Sequence, residues 1–307
     1  MSKTIKKIVN LFHNAFWLAL LLFIVFMQVI SEDIENDNKD NEDLYVEVEK
    51  DKYDLDTIFN SLKPKEEFKR NEDCETINKV YSWKNLSWSF YKIKFSLCTD
   101  HILSARDNRN NSNAYGEVLY NQLYSNDSVY LSPVIETFTA LKEEKKLNKI
   151  QLLEAIVTFI QDIPYTYILG PGRTCGSSFS NSKGELMHYP KYNCKPMIPS
   201  GCCDNVNPWG IYSPLEFLSN ETGDCDTRSL LAFAILRKFG YDVAVVNSIL
   251  MGHSMLGVHV PYVPGNGSYG LTTISRKKYY LWELTAKGWH LGDNYNFPSN
   301  DWWVIYQ

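Results

Sequence analysis

The chain of 307 residues has no excess of basic side chains: 31 lysines and arginines stand against 36 aspartates and glutamates, a formal net charge of −5. Proteins that bind the phosphate backbone of nucleic acid normally carry a basic face, so no nucleic acid partner is expected. The sequence also lacks a Cys-x-x-Cys motif, which argues against a disulfide-exchange protein, and it lacks an EF-hand calcium loop. It does have core material, since 44% of its residues are hydrophobic, enough for one large domain or two modest ones.

The N-terminal residues 1–31 have the pattern of an export segment. Three lysines precede an apolar stretch that is unbroken from Ala15 to Met27. This pattern predicts a membrane anchor that crosses the bilayer once, with the lysines in the cytoplasm and the rest of the chain outside. The alternative is a signal peptide cleaved after Ser31, which would give a secreted protein. The next residues, 32–52, are rich in aspartate, glutamate and asparagine, so they are predicted to be a solvated acidic linker.

Apolar periodicity predicts an α+β domain in which most helices precede the main sheet. Alternation of Ile93, Phe95 and Leu97 with polar residues indicates a strand. Ser-Pro pairs at 132–133 and 213–214 indicate helix starts, with serine as the cap, and Pro164 ends a helix that runs to Asp162. Strands are predicted over 243–250, 255–260 and 278–284.

Cys225 follows a glycine turn and opens an apolar helix that is predicted to end at Gly240. The N-terminus of a helix carries unpaired N–H groups and a partial positive charge, which favour the thiolate form of a cysteine. Cys225 is therefore the candidate nucleophile. Its neighbours Asp224 and Asp226 are predicted to cap the helix, and they would oppose thiolate formation unless they turn away.

Four short motifs follow one another along the second half of the chain. They are Phe159-Ile160-Gln161-Asp162-Ile163-Pro164-Tyr165, Gly223-Asp224-Cys225-Asp226, Gly252-His253-Ser254-Met255-Leu256-Gly257-Val258 and Trp282-Glu283-Leu284-Thr285-Ala286. In this order they resemble the motifs of the transglutaminase-like cysteine enzyme superfamily, and most closely those of its prokaryotic branch. The resemblance covers residues 150–295. It implies a papain-like core, in which a nucleophile helix packs on an antiparallel sheet, and a catalytic domain over 149–307 that follows an accessory subdomain over 53–148.

The resemblance implies a catalytic triad of Cys225, His253 and Glu283. The histidine would exchange protons with the thiol, and the carboxylate would fix the imidazole. Glu283 stands where the family usually has aspartate, which is a departure from the pattern. His259 is an alternative base, six residues from His253, and Gln161 is a possible oxyanion donor, with a solvated residue at the helix end as the other interpretation.

The remaining six cysteines form an even set in a segment predicted to lie outside the membrane, which favours disulfides. Cys74 and Cys98 are expected to staple the accessory subdomain. Cys175, Cys194, Cys202 and Cys203 are expected to cross-link a long loop rich in glycine and proline between 169 and 209, in a pairing that the sequence does not choose. A zinc site from Cys175, His188, Cys194 and Cys202 is the alternative.

The sequence therefore predicts an exported thiol enzyme that hydrolyses peptide or isopeptide bonds through a thioester. The expected partner is a protein, a peptide or a component of the cell envelope, and neither a cofactor nor a metal is predicted. Two alternatives stay open: a protein cross-linking transglutaminase, and a noncatalytic binding module of the same fold. A disulfide on Cys225 would favour the binding module.

Overall fold

The computed structural model describes residues 74–171, 203–204, 207–248, 252–260 and 277–293, together with the backbone of four strands at 178–180, 186–188, 270–272 and 303–306. All of these belong to one unit, residues 59–307. The predicted membrane segment and acidic linker lie outside the described residues. In the part of the chain that is described, no helix is both long enough and apolar enough to cross a bilayer.

The described chain begins with an antiparallel hairpin of β1 (Thr76–Lys84) and β2 (Phe90–Cys98). The alternation predicted for β2 is confirmed: Ile93, Phe95 and Leu97 are buried, whereas Lys92 and Lys94 are exposed and Ser96 is half-buried. A disulfide between Cys74 and Cys98 closes the open end of the hairpin, as predicted.

Four helices follow: α1 (Thr99–Asn110), α2 (Gly116–Asp127), α3 (Ser132–Lys145) and α4 (Lys149–Asp162). The predicted start of α3 is confirmed, but Ser132 lies inside the helix and its side chain does not cap it. A capping box of Asn148 and Gln151 begins α4.

Short strands connect the helical part to the nucleophile helix. β3 (Tyr167–Ile168) pairs in parallel with β6 (Cys203–Asp204), and β4 (Ser178–Ser180) pairs antiparallel with β5 (Leu186–His188). α5 (Pro214–Asn220) then begins with the predicted serine cap, a capping box in which Ser213 and Glu216 satisfy each other's backbone N–H groups.

α6 (Cys225–Lys238) packs on the main sheet through β7 (Val243–Ser248) and β8 (His253–Val258). Beyond these strands come β9 (Gly270–Thr272), β10 (Lys278–Trp282) and β11 (Trp303–Tyr306), and the antiparallel order is β11-β7-β8-β10-β9. The chain is therefore α+β with small antiparallel sheets, an architecture compatible with a papain-like fold.

One hydrophobic core connects the hairpin to the helices and the sheet. Trp83 of β1 lies against Phe138 and Phe159, and its indole N–H donates to Thr158 Oγ1 at 3.1 Å. On the other side α6 is buried continuously from Thr227 to Leu236. The core therefore holds the first turn of α6, which carries Cys225, against the beginning of β8.

Candidate active site

Cys225 is the first residue of α6, and close packing fixes the turn before it. A Cβ added at Gly223 would come within 2.8 Å of the Phe217 ring and within 2.9 Å of Thr227 Cγ2, closer than side-chain atoms approach. The carbonyl of Gly223 accepts a hydrogen bond from Thr166 N at 3.2 Å. Glycine is therefore required here by space, and the turn presents a free, partly buried thiol.

The surroundings of Cys225 disfavour its thiolate. Burial raises the pKa of the thiol to about 12, and the charges of Asp226 and Glu283 act in the same direction. Hydrogen bonds from the main-chain N–H groups of Ser254 and Asp226 act against this rise. The expectation that the helix N-terminus leaves a ready thiolate is therefore wrong for the resting site, because burial, with the charge of Asp226 as the next cause, raises the pKa of the thiol.

Asp224 and Asp226 lie on either side of the nucleophile, share a side-chain hydrogen bond, and accept from different main-chain N–H groups. Asp224 occupies the cap position of α6, as predicted, but its side chain makes no cap bond. Its Oδ2 instead accepts from Ile168 N at 3.3 Å. Asp226 Oδ1 accepts from Thr227 N at 3.0 Å. Burial raises the pKa of both carboxyls, and that of Asp224 is well above its usual range.

His253 and Glu283 form the second part of the site. β10 runs antiparallel to β8, with Trp282 opposite Leu256, so the residue after β10 comes level with the beginning of β8. His253 Nε2 lies 2.6 Å from Glu283 Oε2. Since an ionised carboxylate only accepts, Nε2 carries the hydrogen in this contact, and Nδ1 is the ring nitrogen that Glu283 does not contact.

Thr285 holds the other oxygen of Glu283. Its main-chain N–H and its hydroxyl donate to Oε1 at 2.8 and 2.7 Å. Burial alone would raise the pKa of Glu283, but the hydrogen bond and charge of His253 and the two donors of Thr285 bring it below its usual value. The glutamate is therefore ionised at neutral pH, and the longer side chain reaches the imidazole.

The other two predicted residues lie differently. Gln161 is buried, so it is not the solvated residue at a helix end that was one interpretation. Its amide nitrogen donates to the carbonyls of Glu283, at 2.8 Å, and Trp289, at 3.1 Å. Both amide hydrogens are thus used on main-chain carbonyls, and the residue supports the glutamate loop rather than facing an oxyanion.

His259 follows the end of β8 and is not brought to the thiol. Its Nδ1 lies 2.9 Å from the carbonyl of Lys278, and its ring contacts Tyr279. His253 and Glu283 are therefore the predicted residues in direct contact, and Cys225 lies where the main-chain N–H of Ser254 and the charge of Glu283 act on its thiol.

Of the loop cysteines, Cys203 is disulfide-bonded. Cys175, Cys194 and Cys202 lie outside the described residues, as does the zinc site proposed from them with His188. Cys225 is free, so the disulfide that would have favoured a binding module does not form.

Sequence reasoning missed three residues that support the site: Ser254, Thr285 and Arg228. Thr285 lies within the motif that supplied Glu283, and Ser254 follows His253. Both could have been found by asking which neighbours hold each catalytic side chain. Arg228 lies one turn after Cys225, and its signal is a charged residue inside a helix that is otherwise buried.

Comparison with known proteins adds little to this geometry. No protein-family model matches the chain, and no curated protein matches it. Among solved structures, the crystal structure of a "putative cysteine protease" from Cytophaga hutchinsonii is similar at 12% identity and a TM-score of 0.25, over 74% of this chain and 73% of that chain. A TM-score this low carries no argument about activity, so the case for an enzyme rests on the side chains of the site.

Proposed function

We propose that this protein is an exported thiol-dependent enzyme of transglutaminase-like type that hydrolyses peptide or isopeptide bonds. Cys225 is the nucleophile, His253 is the base and Glu283 orients the imidazole. The observation that carries the proposal is the 2.6 Å contact between His253 Nε2 and Glu283 Oε2 beside a free cysteine at the start of a helix.

The reaction proceeds in two acyl transfers. The Cys225 proton passes to His253 Nδ1 as the sulfur attacks the amide carbonyl carbon. The carbon–nitrogen bond then breaks, His253 gives the proton to the leaving amine, and a thioester remains. Water attacks the thioester while His253 takes its proton, the carboxylic acid leaves, and the sulfur recovers a proton. The Cys225 N–H, at the helix start, is the candidate donor to the oxyanion.

Hydrolysis is preferred to cross-linking because water is the default acceptor and the sequence has no EF-hand calcium loop. A protein amine that replaced water would give the cross-linking alternative. The substrate class is a protein or peptide, including components of the cell envelope.

The domain acts outside the cytoplasm, tethered by the segment over residues 1–31 or released after its cleavage. The disulfide between Cys74 and Cys98 and the disulfide-bonded state of Cys203 support this location, because such bonds persist in oxidising compartments.

A small activated ester tests the chemistry without knowledge of the natural substrate. The full chain is incubated with p-nitrophenyl acetate, and intact mass spectrometry follows an acetyl group on Cys225 while p-nitrophenolate is released. Wild type should form the thioester and lose it to water, Cys225→Ala should form none, and His253→Ala should form it slowly. His259→Ala is the matched control and should behave as wild type. Added alkylamine that captures the acetyl group faster than water would favour the cross-linking alternative.

A noncatalytic binding module is the second candidate, and one observation favours it: the pKa of Cys225 is raised to about 12. In that case no acetyl group accumulates on Cys225, and wild type and Cys225→Ala release p-nitrophenolate at the same rate. That result would move the proposal to binding.

A further inference from the structure

Arg228 is the largest side chain that the described core buries completely, at 0% exposure. Its guanidinium donates four hydrogen bonds, all to main-chain carbonyls. Nε donates to Gly223 O at 3.0 Å, Nη1 donates to Ile160 O at 2.7 Å and Leu284 O at 3.1 Å, and Nη2 donates to Ile163 O at 2.5 Å.

These four carbonyls belong to the three segments that build the site. Ile160 and Ile163 are at the end of α4, next to Gln161. Gly223 is two residues before Cys225, and Leu284 follows Glu283 directly. One planar side chain therefore fixes the nucleophile turn and the glutamate loop at a set distance from each other, with the end of α4 as a common support.

Aromatic rings fix the plane of this guanidinium. Its carbon lies 5.6 Å from the centroid of the Tyr165 ring and 5.7 Å from that of Phe217. Rings at these distances favour the cation electrostatically and limit its rotation.

The free-energy cost of burying this arginine is too large for a residue that only fills space. Of the residues that the structure describes, no carboxylate forms an ion pair with Arg228. Burying a cation without such a pair carries a large desolvation cost. The chain contains a second buried arginine, Arg109, which is paired with Glu216 at 2.6 Å in the usual way.

We propose that Arg228 is a positioning residue of the active site: its hydrogen bonds to Gly223 and Leu284 hold Cys225 and the His253–Glu283 pair in the geometry for proton transfer. This inference rests on the proposed function. Arg228 acts through main-chain groups and does not touch the reacting atoms. Lysine would keep the charge, but its single ammonium cannot donate to the same four carbonyls as the planar guanidinium does.

The test is the rate of iodoacetamide labelling of Cys225 in the full chain at pH 7 and pH 8, read by peptide mass spectrometry. The variants are Arg228→Lys, His253→Ala and the double variant. Arg228→Lys should lower the rate by roughly 10- to 100-fold, the range expected for a misplaced catalytic group. The double variant should be no slower than His253→Ala alone, because both changes remove the same proton transfer.

Arg109→Lys is the matched control, because it changes a buried arginine that lies outside the site. It should lower the melting temperature while leaving the labelling rate within about twofold of wild type, as expected for a distant, independent change. A labelling rate in Arg228→Lys that equals the wild-type rate overturns the proposal. If the losses of labelling rate from the two changes are additive in the double variant, the proposal is also overturned, because additive losses indicate that the fold as a whole has become less rigid.

Failure of the proposed function has a separate signature. Equal rates in wild type and His253→Ala overturn the proposed function and the role of Arg228 together, whereas a His253-dependent rate that survives in Arg228→Lys overturns the role of Arg228 alone. If circular dichroism shows that Arg228→Lys is unfolded, Phe217→Leu takes its place, since it keeps the arginine and removes one of its rings. A lower rate that is not additive with His253→Ala then supports the proposal, and an unchanged rate overturns it.

Discussion

Asp226→Asn should make the Cys225 thiol easier to ionise. The pKa of this thiol is raised to about 12 from an ordinary value of 9.0, and Asp226 contributes most to the rise after burial. A pKa of about 12 in place of 9.0 corresponds to about 4 kcal/mol against the thiolate. Asparagine keeps an oxygen for Thr227 N and cannot carry the negative charge.

We expect Asp226→Asn to lower the thiol pKa by about one unit, which means about ten times more thiolate at any pH below the titration. One unit is less than half of the total rise in the pKa of the thiol, as expected when burial is the larger cause. The assay is the rate of Cys225 labelling by iodoacetamide between pH 7 and pH 10, in a His253→Ala background. In that background the thiol ionises without a proton acceptor, so the rate follows the thiolate fraction alone.

Asp224→Asn is the matched comparison for this experiment. Burial holds the pKa of Asp224 well above its usual range, which works against a charge on this carboxyl, so its replacement should change the field at the sulfur less than replacement of Asp226 does. We expect little change in the labelling rate. The reasoning is refuted if Asp226→Asn labels no faster than the His253→Ala background, or if Asp224→Asn accelerates labelling as much as Asp226→Asn does.

Three further predictions concern the orienting carboxylate, the buried acid of α2 and the nucleophile turn. Glu283→Gln should slow the His253-dependent labelling of Cys225 by about 100-fold, because the amide cannot stabilise an imidazolium, and a wild-type rate in a folded variant contradicts this. Burial raises the pKa of Asp127 from its ordinary 3.8 to about 7, so the folded state binds more protons between these values and loses stability as the pH rises through them. Asp127→Asn should remove about 2.5 kcal/mol of that loss, the part that falls between pH 5 and the folded pKa of about 7, measured by urea unfolding at pH 5 and pH 8, and an unchanged difference between the two pH values is the contrary outcome. Gly223→Ala should destabilise the fold by about 1–3 kcal/mol, because its Cβ would meet the Phe217 ring at 2.8 Å, and an unchanged melting temperature would show that the ring moves away without cost.

The elements that could be predicted are those whose residues carry a local signal. The strand around Phe95 shows a regular alternation, and the helix after Cys225 has a glycine on each side. The helices α1 and α2 were not predicted. In α1 the buried residues are only Ile102, Ala105 and Arg109, so its apolar face is too narrow to stand out from a polar sequence.

The residues and properties of the site also divide into those that a local motif predicts and those that it does not. Cys225, His253 and Glu283 could be proposed because each lies in a short motif with a fixed order. The ionisation of the thiol could not be predicted, because it depends on burial and on Glu283, which is 58 positions away in the sequence. Arg228 was missed for a related reason. Its four partners are main-chain carbonyls, and since every residue type has one, the sequence of those segments does not indicate that they bind an arginine.

The charges around Cys225 favour one order of events in the proposed reaction. A thiolate at Cys225 before substrate binds would be buried close to the carboxylates of Asp226 and Glu283. Burial and these charges raise the pKa of the thiol to about 12, so this thiolate is unfavourable. Transfer of the proton to His253 makes ionisation of the thiol less unfavourable, because Glu283, at 2.6 Å, stabilises the imidazolium that forms. The negative charge then moves from the sulfur to the substrate oxygen as the carbon–sulfur bond forms. The proposed site therefore favours proton transfer to His253 in the same step as attack of the sulfur on an electrophile, rather than a thiolate that stands ready beforehand.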